Sequence, residues 1–526
     1  MFDALIIGGT VVDGSGVPGF RADVGIEGET IQAIGNLSRS EARRVIDAKG
    51  LVVSPGFIDT HTHSEGVLLS DPQHAYGLRQ GITTEIMGLD GVSFAPLSPE
   101  NYRLNRRYLA GLLGDPPNDL DTSSVAAFRA SYHRQVAINT AYLVPHGAVR
   151  LEVMGFRDAP LVGDGLERAK RLVREGIEQG AVGLSAGLSY YPGTWSDTEE
   201  LVELCKTVRE AGGVYVTELR KLNTDRGFGG GGVAEALETA RRSGVSIHFA
   251  HYRTAPETAG DLDTLLEQID QAKSEGVDVS LDIYPYPAGS SFPVGYLPEY
   301  AQEGGPDTIV RLLGDPAERA RLAQHLDQSP WRPLEDVVFT YLPKNSDLEG
   351  MSLPDVAKIR GLSMGEALCD LLLEEDLKVG YLTAPPKSVA LWRQTSRDCM
   401  ALLSRDDYMA CSDITPLGSL PHPRCFGAFP RMLGRLRREF GGISLEQVVH
   451  RMTQRPAERF RLTGRGLVRD GYCADVVVFG ADRINDTATY DDPRRHPTGI
   501  PYVLVNGEIA VDRERCTGVW AGQAVP

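Results

Sequence analysis

Apolar and polar positions follow two textures along this chain. Up to residue 54 they alternate in short runs broken by glycine, at 4–8, 11–13, 22–26, 30–35 and 44–47. That pattern predicts a small antiparallel β unit. From Leu51 onward, near-continuous apolar runs alternate with amphipathic stretches, as buried parallel strands alternate with the helices that cover them. Eight such runs stand at 52–61, 83–88, 139–145, 181–186, 214–219, 245–252, 277–285 and 408–413. Between them, stretches at 166–179, 197–211, 232–243 and 262–275 have helical periodicity and end near glycine. The expected fold class is therefore α/β, a (β/α)₈ TIM-type barrel.

Two segments do not fit the barrel rhythm. Residues 288–345 are rich in proline, glycine and aromatic residues before a charged helix, which reads as an insertion after strand seven beside the barrel mouth. Residues 346–407 return to helix and one weak strand. After Arg455-Pro456-Ala457 the chain regains β texture at 471–479 and 501–511. The expected organisation is a small β-sandwich domain from both chain ends, residues 1–54 and 467–526, around a barrel spanning 55–466.

Composition narrows the partners. A formal net charge of -17 over 526 residues argues against nucleic acid and anionic membrane surfaces. Met1 to Gly9 lacks the basic start of a signal peptide, and no stretch reaches transmembrane length. Seven cysteines without a C-x-x-C spacing read as free thiols of a reducing compartment, so the expected location is cytoplasmic. Oligomeric state is left open by these features.

The chemistry begins at Gly56-Phe57-Ile58-Asp59-Thr60-His61-Thr62-His63, where an apolar run delivers two histidines at i, i+2. On a strand, that spacing puts both imidazoles on one face, which is half of a transition-metal site. Active sites of such barrels lie at the C-terminal strand ends. Those ends carry His61 and His63, Asp90, Glu218, His251 and Asp413. One carboxylate after a strand commonly caps a helix; six potential ligands on one rim predict a divalent metal.

The His-x-His pair, Gly180-Ala181-Val182-Gly183-Leu184-Ser185-Ala186-Gly187, Ala250-His251-Tyr252-Arg253, Tyr284-Pro285-Tyr286-Pro287-Ala288-Gly289, Cys411-Ser412-Asp413 and His422-Pro423-Arg424-Cys425-Phe426-Gly427 together resemble the D-aminoacylase branch of the amidohydrolase superfamily. So do Ala474-Asp475-Val476 and Val505-Asn506-Gly507 near the end of the chain. The resemblance implies a metal centre and hydrolysis of an N-acyl amino acid, a small substrate bearing a carboxylate. It places His61, His63 and Asp413 at one metal site, with Asp413 also the general acid/base. At the family's second site, made of a Cys, a His and another His, only His251 matches; Asp90 and Glu218 occupy the other two positions. Strand four has no lysine that could be carboxylated.

Oxygen donors at Asp90 and Glu218 harden the site, so manganese or iron joins zinc as a candidate, with one or two ions. Tyr190 and Tyr191 are candidate donors to a developing oxyanion. Arg253 and Arg424 are candidates for binding the substrate carboxylate. His422 is a weaker one, whereas His74, His133, His146, His248, His325, His450 and His496 read as structural. Two other readings stay open: a hydrolase or cyclase acting on another C–N bond of a cyclic amide or specialised metabolite, and a catalytically silent barrel that binds a ligand.

Overall fold

The computed structural model describes residues 1–329 and 333–526. Eight parallel strands follow one another around a single sheet: β1 (Phe57–Asp59), β2 (Ile82–Met87), β3 (Asn139–Pro145), β4 (Gly183–Gly187), β5 (Val214–Glu218), β6 (Ile247–Phe249), β7 (Val279–Ile283) and β8 (Tyr408–Ala410). β8 returns to β1 through a parallel bridge between Ile414 and Thr62, beyond both strand ends. There the Asp413 N–H donates to the His61 carbonyl at 2.9 Å, and the His63 N–H to the Ile414 carbonyl at 3.1 Å. The barrel thus closes on the backbone of three residues read above as metal ligands. Ile58, Ile86, Leu143, Val216 and Met409 belong to one buried apolar cluster with Phe460 and Leu462, the filled interior expected of this fold.

The apolar run at 52–61 is two strands rather than one. Val52–Pro55 lies in a nine-stranded sheet, parallel to Phe2–Val11 and antiparallel to Val476–Phe479, and so joins the strands from the two ends of the chain. β1 begins two residues later, in the barrel. Gly56 is the joint: its N–H donates to the Asp475 carbonyl at 2.8 Å, and a Cβ there would stand 2.1 Å from Thr83 Oγ1. Both halves are buried, so hydrophobicity runs through the break unmarked. A related difference lies at the start of the chain, where 4–8 and 11–13 merge into Phe2–Val11 across a register shift between Ile6 and Gly9.

Asp475 latches this sheet to the barrel. Its carboxylate pairs with Arg465, accepts the Asn506 N–H at 2.8 Å and takes the Asn139 amide of β3 at 3.1 Å. Between β7 and β8, Ser290–Ser291, Val337–Tyr341 and Gly380–Thr383 pair as a three-stranded antiparallel sheet. This excursion is one unit that reaches past residue 345, because helices Leu353–Arg360 and Met364–Glu374 pack within it although their pattern reads like that of barrel helices. Among the described residues, no helix is long and apolar enough to cross a membrane.

Helices after β3 and β4 are held together by a buried charge. Glu200, in Thr198–Glu210, meets His146 Nε2 at 2.7 Å, pairs with Arg150 and accepts the Leu161 N–H at 2.8 Å. Burial alone would raise its pKa, but the Arg150 guanidinium and the His146 hydrogen bond outweigh it and hold Glu200 at about 2, against an ordinary 4.5. His146 is itself lowered by burial and stays neutral. A carboxylate whose pKa is depressed by folding contributes stability above its unfolded value and loses it as pH falls through the folded one. Glu200→Gln should therefore be less stable by roughly 3 kcal/mol at neutral pH, with the difference shrinking as pH falls from 4.5 towards 2. Denaturant melts across that range check this; a difference that does not change with pH would contradict it.

Candidate metal centre

β1 ends in Asp59, and the turn that follows points His61 and His63 into the barrel mouth. Asp59 Oδ1 accepts the N–H of His61 at 3.3 Å and that of Ser412 at 2.9 Å, so one carboxylate sets the backbone on both sides of the closure. The two imidazoles meet with Nε2 atoms 3.3 Å apart. Asp90 Oδ2 lies 3.3 Å from His61 Nε2, 3.4 Å from His63 Nε2 and 3.9 Å from His251 Nε2. Asp413 Oδ1 stands 3.7 Å from His61 Nε2 and 3.4 Å from His63 Nε2.

Two sets of three donors result, His61–His63–Asp413 and His61–Asp90–His251, each with its donor atoms within 4.8 Å of one another. Nitrogen and oxygen ligands bind zinc at about 2.0–2.2 Å, which places neighbouring ligands of a tetrahedral ion roughly 3.4 Å apart. The separations of 3.3 to 3.7 Å around His61 and His63 match that spacing. The donors therefore fit a divalent cation.

The electrostatics agree. Asp90 and Asp413 are buried, which would raise their pKa values. Positive neighbours reverse this: His61 and His251 hold Asp90 well below the carboxylate range, and Arg424 with His61 does the same for Asp413. Burial would lower both His63 and His251, yet the two carboxylates lift them to about 9 and about 10. The cluster draws protons onto His63 and His251 because it is short of positive charge, the deficit that a metal ion fills.

Asp90, His251 and Asp413 all have left-handed backbones, with φ of 53°, 35° and 53°. Such conformations cost on the order of 1–3 kcal/mol each and cluster at functional sites. Aspartate tolerates the region better than histidine does. The Asp90 turn is pinned from β4, where Ser185 Oγ accepts the Gly91 N–H at 3.0 Å and donates to the Gly88 carbonyl.

The other candidate residues divide between this cavity and its surroundings. His63, Asp90, His251, Asp413, Tyr190 and Glu218 line a cavity of about 330 Å³. Glu218 ends β5 as expected, but it belongs to neither donor set and lies 3.5 Å from Lys221 Nζ. Tyr190 stacks on Phe292; burial, then Glu218, pushes its phenol well above the ordinary value, so it remains a donor. Tyr191 packs on Trp195 and lines a different cavity, with Leu222 and Tyr296, so the structure does not place it beside the metal donors.

The two arginines sit behind the wall rather than in it. Arg424 is fully buried, with Nη1 on Asp413 Oδ2 at 2.7 Å and its guanidinium 4.8 Å from the centre of the Tyr284 ring. Arg253 lies over the same ring at 4.6 Å and donates to Tyr284 Oη at 2.7 Å. His422 is buried behind Arg424, whose N–H it accepts at 3.0 Å, and meets Tyr490 Oη at 2.9 Å. Among the described residues lining the cavity, Lys221 alone is a lysine or arginine. Sequence reading passed over it, as it did Ser290, Ser291, Tyr381 and Thr383, which the insertion contributes. Tyr284 was within reach, since it opens the quoted motif directly after β7.

Comparison with known proteins agrees with this geometry. The amidohydrolase family pattern matches residues 44–511. D-aminoacylase of Alcaligenes xylosoxydans xylosoxydans is 32% identical over 100% of this chain and 97% of its own. The solved N-acyl-D-glutamate deacylase of Bordetella bronchiseptica, complexed with zinc and a phosphonate that mimics the tetrahedral intermediate, is 31% identical with a TM-score of 0.82, covering 100% of this chain and 99% of its own. A D-aminoacylase structure with a binuclear metal centre, described by one-metal activation and second-metal attenuation, is also 31% identical with a TM-score of 0.82 over 100% of both chains. By fold, full-length similarity and the donors gathered at the barrel mouth, the chain belongs to the amidohydrolase family, on the D-aminoacylase branch.

Proposed function

We propose that this protein is a metal-dependent hydrolase that cleaves the amide of an N-acyl-D-amino acid. The observation that carries the reading is the pair of donor sets sharing His61 at the mouth of a barrel whose full-length relatives are D-aminoacylases and N-acyl-D-glutamate deacylases. A divalent cation in such a site polarises a carbonyl and lowers the pKa of water to about 7.

The protein's own groups supply the remaining steps. Asp413 presents Oδ1 to the imidazoles while Arg424 holds Oδ2, so the carboxylate is oriented and ionised, ready to take a proton from the nucleophile and return it to the departing amine. Tyr190, kept protonated, donates to the oxygen that gains charge as the carbonyl is attacked. Arg424 is assigned to Asp413 rather than to the substrate carboxylate, and Arg253 acts through the Tyr284 hydroxyl that it orients. Lys221 and Tyr284, in the cavity wall, receive the carboxylate.

Zinc is the first candidate ion, as in the related deacylase structure. Asp90, in place of the family's cysteine, makes the donor set richer in hard oxygen, which favours manganese or iron more than a sulfur-containing set would. His61, His63, Asp90, His251 and Asp413 are assigned to metal binding, and Glu218 to the cavity wall.

Three outcomes follow from these assignments. Protein reconstituted separately with zinc, manganese and iron should release amine from N-acyl-D-amino acids, read by a free-amine assay. Failure across an acyl and side-chain panel, with turnover of a cyclic amide instead, would favour the other C–N bond reading. Asp413→Asn should lower kcat by at least ~100-fold; a loss below threefold would remove Asp413 from proton transfer. By elemental analysis, Asp90→Ala should lose metal whereas Glu218→Ala keeps the parent stoichiometry. The reverse result would make Glu218 the ligand.

A further inference from the structure

β7 carries no residue of either donor set, yet the middle of its apolar run holds a fully buried carboxylate, Asp282. Four donors converge on it. Oδ1 accepts the backbone N–H of His251 at 2.5 Å and lies 3.3 Å from Cys411 Sγ. Oδ2 accepts the Thr60 hydroxyl at 2.9 Å and meets His248 Nε2 at 2.9 Å. The other nitrogen of His248 is 2.8 Å from Ser280 Oγ, so a neutral ring that donates to Asp282 and accepts from Ser280 satisfies both contacts.

These partners are not scattered. Thr60 immediately precedes His61, Cys411 stands two residues before Asp413, and His251 is itself a donor in the left-handed conformation. One carboxylate thereby grips the chain beside ligands that arrive from β1, β6 and β8. We propose that Asp282 is a positioning residue for the metal centre: it holds His251 in its left-handed turn and fixes the mutual placement of His61, His251 and Asp413 without touching metal or substrate.

The physical reason is rigidity. Donor atoms must stay within a few tenths of an ångström of their productive positions, and groups bonded to ligands rather than to the metal typically change affinity by 10- to 100-fold. A carboxylate accepts from four directions in fixed geometry, which an amide cannot do because two of its positions are donors.

This inference rests on the metal-dependent reading above, and the experiment separates the two. Full-length, metal-stripped wild type, Asp282→Asn, Thr60→Val and Glu200→Gln are titrated with zinc against a chromophoric chelator, with circular dichroism and thermal melts recorded in parallel. Glu200→Gln controls for loss of a buried charge away from the metal donors. Asp282→Asn should keep the native far-ultraviolet spectrum yet bind zinc about 10- to 100-fold more weakly. Thr60→Val, which removes the hydroxyl's bond to Asp282 and its longer contact with the Ala410 carbonyl at 3.4 Å but leaves the other three donors on Asp282, should lose affinity in the same direction but less, and it decides the matter if Asp282→Asn does not fold. In the cobalt-substituted protein, the visible bands should shift in Asp282→Asn and not in Glu200→Gln. Zinc affinity within twofold of wild type in folded Asp282→Asn or, failing that variant, in Thr60→Val would overturn the inference. So would an equal loss in Glu200→Gln. A wild type that takes up no zinc, manganese or iron would overturn the metal reading and this inference with it.

Discussion

Two buried carboxylates facing three imidazoles across less than 4 Å form the constraint on which the rest of this structure depends. Asp90 and Asp413 cannot remain ionised in that position without nearby positive charge, and His63 and His251 respond by binding protons more tightly than usual. Several features serve to hold the crowding in place. The barrel closes through the backbones of His61, His63 and Asp413, so the sheet and the site are fixed by the same hydrogen bonds. Arg424, wholly buried, faces the remaining oxygen of Asp413. Three left-handed turns bring Asp90, His251 and Asp413 to bear at a backbone cost that only a well-determined surrounding structure sustains.

Roles are divided between parts of the chain. The candidate metal donors come from the ends of β1, β2, β6 and β8, while the insertion between β7 and β8 supplies Ser290, Ser291, Tyr381 and Thr383 to the cavity wall. The candidate donors thus sit on the barrel sheet, and the cavity wall is shared with a unit that has its own three-stranded sheet. The strand Val52–Pro55 links the barrel to the terminal sheet through Gly56, two residues before Ile58 enters the barrel core.

Much of this was legible in the sequence, and the reasons differ by residue. His61, His63, His251 and Asp413 could be placed because topology fixes where a barrel strand ends and what lies there. Asp90 followed from the same rule, although the left-handed turn that aims it has no periodic signature. Beyond a strand end the period of two no longer operates, so direction was not readable: Tyr190 faces the cavity while Tyr191 packs on Trp195. Arg424 was correctly near the centre, but its partner is Asp413, because a fully buried guanidinium needs a carboxylate. The break at Gly56 left no mark because both flanking strands are buried. Asp282 had a visible signal, an acid within an apolar run, whose meaning emerges only when Thr60, His251 and Cys411 converge on it.

The ligand atoms themselves are open to direct observation. X-ray absorption at the zinc edge of the loaded protein should show a first shell of nitrogen and oxygen alone at about 2.0–2.2 Å, with the outer-shell pattern of two or three imidazoles. A sulfur neighbour at about 2.3 Å would contradict the nitrogen-and-oxygen donor sets, because a cysteine such as Cys411, two residues before Asp413, would then be a ligand.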